Sequence, residues 1–97
     1  MIQAADNWPG DVWRVFVPLP FPLRWMNGYA IREEEGWTLI DPGLHTREAI
    51  DAWQQFFQAK RTNFRQIRRI IVTHHHPDHY GLSGWLQRQS GAPVLLS

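Results

Sequence analysis

Apolar and polar positions alternate along residues 12–17, with Trp13, Val15 and Val17 on one side and Val12, Arg14 and Phe16 on the other. A period of two marks a strand, here buried on at least one face. Strand-like runs recur over residues 27–32 and 37–41, joined through Glu33-Glu34-Glu35-Gly36. An acidic tip with a glycine available for a left-handed position predicts a hairpin. The glutamates read as a solvated turn, because paired carboxylates for glycoside chemistry need a cleft and nothing around them supplies one. Pro18-Leu19-Pro20-Phe21-Pro22-Leu23-Arg24-Trp25 carries three prolines. Each removes a backbone donor, so the stretch predicts an extended apolar loop and excludes a central strand or helix. Residues 1–11 read as a loose lead-in, with Trp8-Pro9-Gly10-Asp11 as a turn.

After residue 46 the period lengthens. Ile50, Trp53 and Phe57 fall at i, i+3 and i+7, flanked by Ala49 and Phe56. The spacing predicts an amphipathic helix reaching about Lys60, with Thr46 as N-cap and Glu48 where the helix dipole favours a negative charge. Its apolar stripe reads as core. Residues 70–73 form a short, largely apolar run, as in a strand covered on both sides. Leu82, Trp85, Leu86 and Gln89 share one face of a second helix over roughly 79–89, which Gly91 ends as a C′ residue. Pro93 opens a last strand. Strands, helix, strand, loop, helix, strand is an α/β order, with no internal repeat.

Composition narrows the classes without naming a function. Ninety-seven residues make one domain at most, and 43% hydrophobic content makes it globular. Six Trp and five Phe are many for this length, so apolar patches and a tendency of the chain to dimerise or swap elements are expected. A net charge of +1 gives no steer towards nucleic acid or anionic membrane. Arg61, Arg65, Arg68 and Arg69 cluster before the fourth strand, but such a connection is more often solvent-facing or paired with acidic groups, which disfavours nucleic-acid binding. The chain has no Cys, which excludes a disulfide scaffold and a thiolate nucleophile. The N-terminus lacks the basic and apolar regions of a signal peptide, and no stretch approaches membrane-spanning length; the chain reads as cytoplasmic.

The chemistry is concentrated in Thr73-His74-His75-His76-Pro77-Asp78-His79-Tyr80-Gly81. In a chain that leaves the strand still extended, residues two apart project to one side, so His74 and His76 converge and Asp78 follows. Pro77 fixes its own φ and biases His76 towards an extended conformation. Neutral imidazoles with a carboxylate suit zinc and also accept iron or manganese. The pattern is His-x-His-x-Asp-His, with His74, His76, Asp78 and His79 as candidate ligands. The competing readings are Asp78 as the N-cap of the next helix and the His run as a chance or tag-like surface feature. His75 faces away, as a packing or surface residue. Asp41, in Asp41-Pro42-Gly43, is either a turn residue or a group that orients a ligand histidine or holds the loop by its amides. His45 reads as a surface residue. Phe21, Leu23 or Trp25 could form a lip over the site.

Ile71-Val72-Thr73-His74-His75-His76-Pro77-Asp78-His79-Tyr80-Gly81, preceded by Trp37-Thr38-Leu39-Ile40-Asp41-Pro42-Gly43, resembles the metallo-β-lactamase-fold hydrolases, particularly the glyoxalase-like branch. The resemblance implies an αββα sandwich, of which this chain would be the N-terminal half. It implies that His74 and His76 ligate one metal and Asp78 and His79 a second, both divalent, zinc first, with iron or manganese as alternatives. It favours the orienting role for Asp41. It also implies a metal-bound hydroxide attacking an ester, thioester or lactone-type bond of a small-molecule substrate, with Asp78 orienting it. His76 departs from the diiron flavoprotein branch, which carries Glu there, and His79 departs from classical zinc β-lactamases that lack a ligand at that place. The family's later His and Asp ligands have no counterpart, since no His or Asp follows His79. The chain therefore reads as a fragment, inactive alone, whose partner is the C-terminal half of the same protein. A non-catalytic metal-binding module and a metal-dependent nuclease are the alternatives.

Overall fold

A computed structural model describes residues 6–8, 11–19, 24–73 and 77–96, with the backbone alone at 6–8 and 77–80. The elements are β1 (Asp6–Trp8), β2 (Val12–Pro18), β3 (Trp25–Glu33), β4 (Gly36–Ile40), α1 (Arg47–Ala59), a 3-10 turn (Phe64–Gln66), β5 (Ile67–Val72), α2 (Pro77–Ser90) and β6 (Val94–Leu96). They build one six-stranded sheet in the order β1-β2-β3-β4-β5-β6. The first four strands run antiparallel, and β5 and β6 add in parallel, each after a helix. Parallel neighbours need such crossovers, and the helical periods of residues 47–59 and 77–90 supply them. No helix among the described residues is long and apolar enough to cross a membrane.

The alternation of β2 is realised as written, with Trp13, Val15 and Val17 buried and their neighbours half-exposed. The register Trp13↔Ala30 and Ala30↔Leu39 carries this face across the sheet, and Leu39↔Ile70 extends it to β5. Against it pack Ala49, Trp53, Phe56 and Phe57 of α1 and Leu82 and Leu86 of α2, in one core. Many of the aromatics meet there: Trp37 contacts Phe57 at 5.6 Å, Phe57 contacts Phe64 at 5.6 Å, and Phe64 contacts Trp85 at 5.4 Å between ring centroids. Tilted and edge-on pairs of this kind add to the area they bury.

α1 follows its prediction, with the Thr46 hydroxyl accepting from the Ala49 amide and Lys60 as C-cap. Gly91 takes φ 78 after α2, and Gly36 takes φ 143 beyond the Glu34-Glu35 turn. Four expectations need correction. Residues 6–8 are not loose: they pair with β2 in the register Asp6↔Arg14 to Trp8↔Val12, a hairpin stabilised by backbone bonds that side-chain pattern does not reveal. The apolar loop is shorter, because Pro18 and Trp25 pair as the last residue of β2 and the first of β3, and Leu19 N–H bonds Arg24 C=O at 3.1 Å. β5 begins at Ile67, so Arg68 and Arg69 lie within the strand, and the Arg69 guanidinium reaches Glu33 at 2.5 Å. α2 begins at Pro77, whose fixed φ suits the first helical position. Asp78 is therefore inside the helix, which removes the N-cap reading.

Candidate metal centre

β4 and β5 are parallel neighbours, with Ile40 opposite Ile71, so both end on the same side of the sheet. Crevices beyond the carboxyl ends of parallel strands are where α/β sheets hold ligands. The first residue past β4 is Asp41, and the first past β5 is Thr73. Asp41 N–H donates to Ile71 C=O at 2.9 Å, which continues the ladder by one bond. Its carboxylate then closes on Thr73: Oδ1 accepts from the backbone N–H at 2.9 Å, and Oδ2 from the hydroxyl Oγ1 at 2.5 Å. The carboxyl group is buried, with the residue only 7% exposed. Both of its oxygens thus bind the residue that leads into His74.

Asp41 stands at φ 52, a left-handed conformation that is costly for a side chain bearing Cβ and is entered most readily by Asp, Asn and Gly. Such strain persists where surrounding bonds over-determine it. Here the next two residues supply further bonds. Pro42 C=O accepts from the Trp53 indole Nε1–H at 2.9 Å, in a buried contact, and Gly43 C=O accepts from the Leu82 amide at 3.3 Å. One turn, residues 41–43, therefore touches the end of β5, the middle of α1 and the second turn of α2. Residues 74–81 run between two of those ties.

The four candidate ligands are placed unequally. His74 and His76, together with His75, lie outside the described residues. Asp78 and His79 are placed by backbone in the first turn of α2, and their side chains lie outside the description. The donor set still fits a borderline divalent metal, since three imidazoles and a carboxylate are hard-to-intermediate ligands and no thiolate competes. Among the described residues no group of three or more His, Cys, Asp and Glu could hold a metal, so no second cluster competes with this segment there.

Two residues gain roles here that their sequence context does not disclose. Thr73 has no function in the motif as read from sequence, and a hydroxyl directly before the His run is its one available signal. Trp53 reads from sequence as core only; its bond to Pro42 spans eleven positions, which local pattern does not encode. His45 is exposed as expected, but it has neighbours: a Cβ at Gly81 would lie 3.1 Å from His45 N, and the His45 ring is 6.2 Å from that of Trp85. Gly81 thus lets the 41–46 segment close on α2. Of the three candidate lip residues, Trp25 is 60% exposed and packs edge-on to Phe16, while Phe21 and Leu23 lie outside the described residues.

The sequence profile of the metallo-beta-lactamase superfamily matches residues 27–97. The chain belongs to this superfamily. The match opens in β3, ahead of Asp41, and takes in the whole histidine segment. The chain is 38% identical over 72 residues to the probable metallo-hydrolase YqjP of Bacillus subtilis strain 168, covering 74% of this chain and 22% of that protein. Among solved structures it is similar to a metallo-beta-lactamase family protein from Thermus thermophilus, with a TM-score of 0.74 and 35% identity over 82% of this chain and 27% of that one. It is also similar to a beta-lactamase domain protein from Burkholderia ambifaria, with a TM-score of 0.69 and 34% identity over 89% of this chain and 28% of that one. The sheet and its two helices thus share the metallo-β-lactamase fold. The chain spans between about a fifth and three tenths of the length of these relatives. Membership of this superfamily implies a divalent metal.

Proposed function

We propose that this chain is the N-terminal, metal-binding part of a metallo-β-lactamase-fold hydrolase that cleaves an ester, thioester or lactone-type bond in a small-molecule substrate. The observation that carries the reading is the closure of the Asp41 carboxylate on both Thr73 donors, at the carboxyl ends of parallel strands and directly before His-x-His-x-Asp-His. A buried carboxylate whose two oxygens both accept from the residue before His74 would fix the entrance of the ligand-rich loop, as groups behind metal ligands fix their geometry.

His74 and His76 would hold one divalent metal and Asp78 and His79 the second, with zinc favoured over iron or manganese by the nitrogen-rich set. When bound, the metals would supply Lewis acidity for a substrate oxygen and bring the pKa of water in the site towards neutrality. Asp78 would orient the attacking water through its carboxylate and accept its proton. Asp41 would keep the loop entrance fixed while charge develops in the site. The second face of the sheet, which carries half-exposed Phe16, Tyr29, Ile31, Ile40 and Ile71, would receive the C-terminal half of the same protein. Without the rest of the protein this chain is expected to be inactive, and we infer a cytoplasmic location for it. The nuclease alternative is weakened at Arg69, which is paired with Glu33 and, next to Arg68 in β5, projects to the opposite side of the sheet, so the four arginines do not share one surface.

The test compares this chain with a protein extended to the length of its relatives, on a panel of thioester, lactone, β-lactam and phosphodiester substrates. The extended protein should hydrolyse a thioester or lactone, lose that activity with a chelator and lose it in His76→Ala. The 97-residue chain should show none. Phosphodiester cleavage alone, or hydrolysis unaffected by the chelator, would refute the reading.

A further inference from the structure

Trp53 is a fully buried residue in the centre of α1, and its indole does two things at once. The ring packs against Phe56 at 6.0 Å and Phe57 at 6.2 Å, as core requires. Its Nε1–H donates to Pro42 C=O at 2.9 Å, in the turn that holds both flanks of the histidine segment. Trp is the one side chain that offers a large apolar body with a single donor and no acceptor. Phe would fill much of the same space and leave a buried carbonyl without this donor.

The seat of the ring is built for it. Gly28 lies beneath it in β3, and a Cβ there would fall 2.7 Å from the indole Cζ2 and 3.0 Å from Asp41 C=O. Any side chain at that position would have to displace the ring, the turn, or both. β3, α1 and the turn therefore meet at one point, and from the turn the path to the loop is short: Pro42 to Asp41, and Asp41 through two bonds to Thr73.

We infer that Trp53 is a positioning residue for the histidine segment, acting through its indole N–H on Pro42 and thence through Asp41 on Thr73. The inference rests on the metal-binding reading above and adds to it a residue far along the chain from every ligand of the motif. A purely structural role would depend on the shape of the ring; a positioning role depends on the N–H.

The experiment separates the two. Trp53→Phe removes the donor and part of the ring. Replacing Trp53 with β-(3-benzothienyl)alanine by semisynthesis keeps the bicyclic shape and puts sulfur where the N–H was. In each 97-residue chain, amide hydrogen exchange is read at Thr73, with Ile70, whose amide bonds Pro93 C=O, as the control. Zinc affinity is read by competition with a chromophoric chelator. The benzothienyl chain should exchange Thr73 about three- to tenfold faster with Ile70 unchanged, and bind zinc about tenfold more weakly. Thr73 exchange equal to wild type, or faster exchange with zinc affinity unchanged, overturns the inference. If Trp53→Phe fails to fold, the benzothienyl chain decides. If wild type binds no zinc, a metal site preformed in this chain is ruled out, and Thr73 exchange still decides whether Trp53 holds the loop entrance.

Discussion

The two faces of the sheet are built from the same strands and differ in what covers them. On one, Trp13, Val15, Val17, Ala30, Leu39, Ile70 and Val72 are buried beneath α1 and α2. On the other, Phe16, Tyr29, Ile31, Ile40 and Ile71 alternate with them and stay half-exposed, interrupted by Arg14, Asn27 and the cluster of Glu33, Thr38 and Arg69. A sheet with one solvated face normally alternates apolar with polar residues. The second face is more apolar than water alone demands, and Trp25 and Leu95 remain exposed at 60% and 48%. The covered face supplies the stability of this chain, and the open one is suited to a further layer.

The largest effect should come from the covered face. Leu39→Ala, at a position with no exposure, should cost about 2–5 kcal/mol in denaturant unfolding. Ile31→Ala on the open face should cost less than about 1 kcal/mol in this chain, because half-exposed positions lose little. In a protein extended to the length of its relatives the same Ile31→Ala change should approach the cost at Leu39. Equal, small costs at Ile31 in both proteins would show that nothing packs on the open face.

Asp41→Ala belongs between these extremes for stability and above both for function. Two donors of Thr73 lose their acceptor, at about 1–3 kcal/mol. Zinc affinity should fall about 10- to 100-fold by chelator competition. Unchanged affinity would reduce Asp41 to an ordinary turn residue. Smallest is Arg69→Ala, which breaks a partly exposed ion pair with Glu33 and should cost less than about 1 kcal/mol, diminishing further in high salt.

What the sequence discloses and what it withholds follow the range of the interactions involved. The period-two run of β2, the 3.6-residue stripe of α1 and its Thr46 cap are local patterns, and the structure realises them nearly residue for residue. The spacing of His74, His76, Asp78 and His79 is local as well, so the chemistry of the candidate site is legible in the chain. The bonds of Asp41 to Thr73 and of Trp53 to Pro42 join separate elements: a role for Asp41 in holding the loop by its amides is legible in the chain, whereas Thr73 as its partner and the Trp53–Pro42 bond are not. β1 is hidden for a related reason: Asp6-Asn7-Trp8 has weak strand propensity, and its pairing with β2 supplies what propensity lacks. Pro77 shows the reverse case, where a residue read as a constraint on His76 also serves as the opening residue of α2.

The most direct test is metal content per chain by elemental analysis, on the 97-residue protein and on His76→Ala, both purified without an affinity tag and equilibrated with zinc. A histidine segment held at both flanks by the 41–43 turn predicts zinc near one equivalent or more in wild type and a clear loss in His76→Ala. A metal-free wild type, or a variant that retains as much zinc as wild type, would contradict a metal site preformed by this half of the fold.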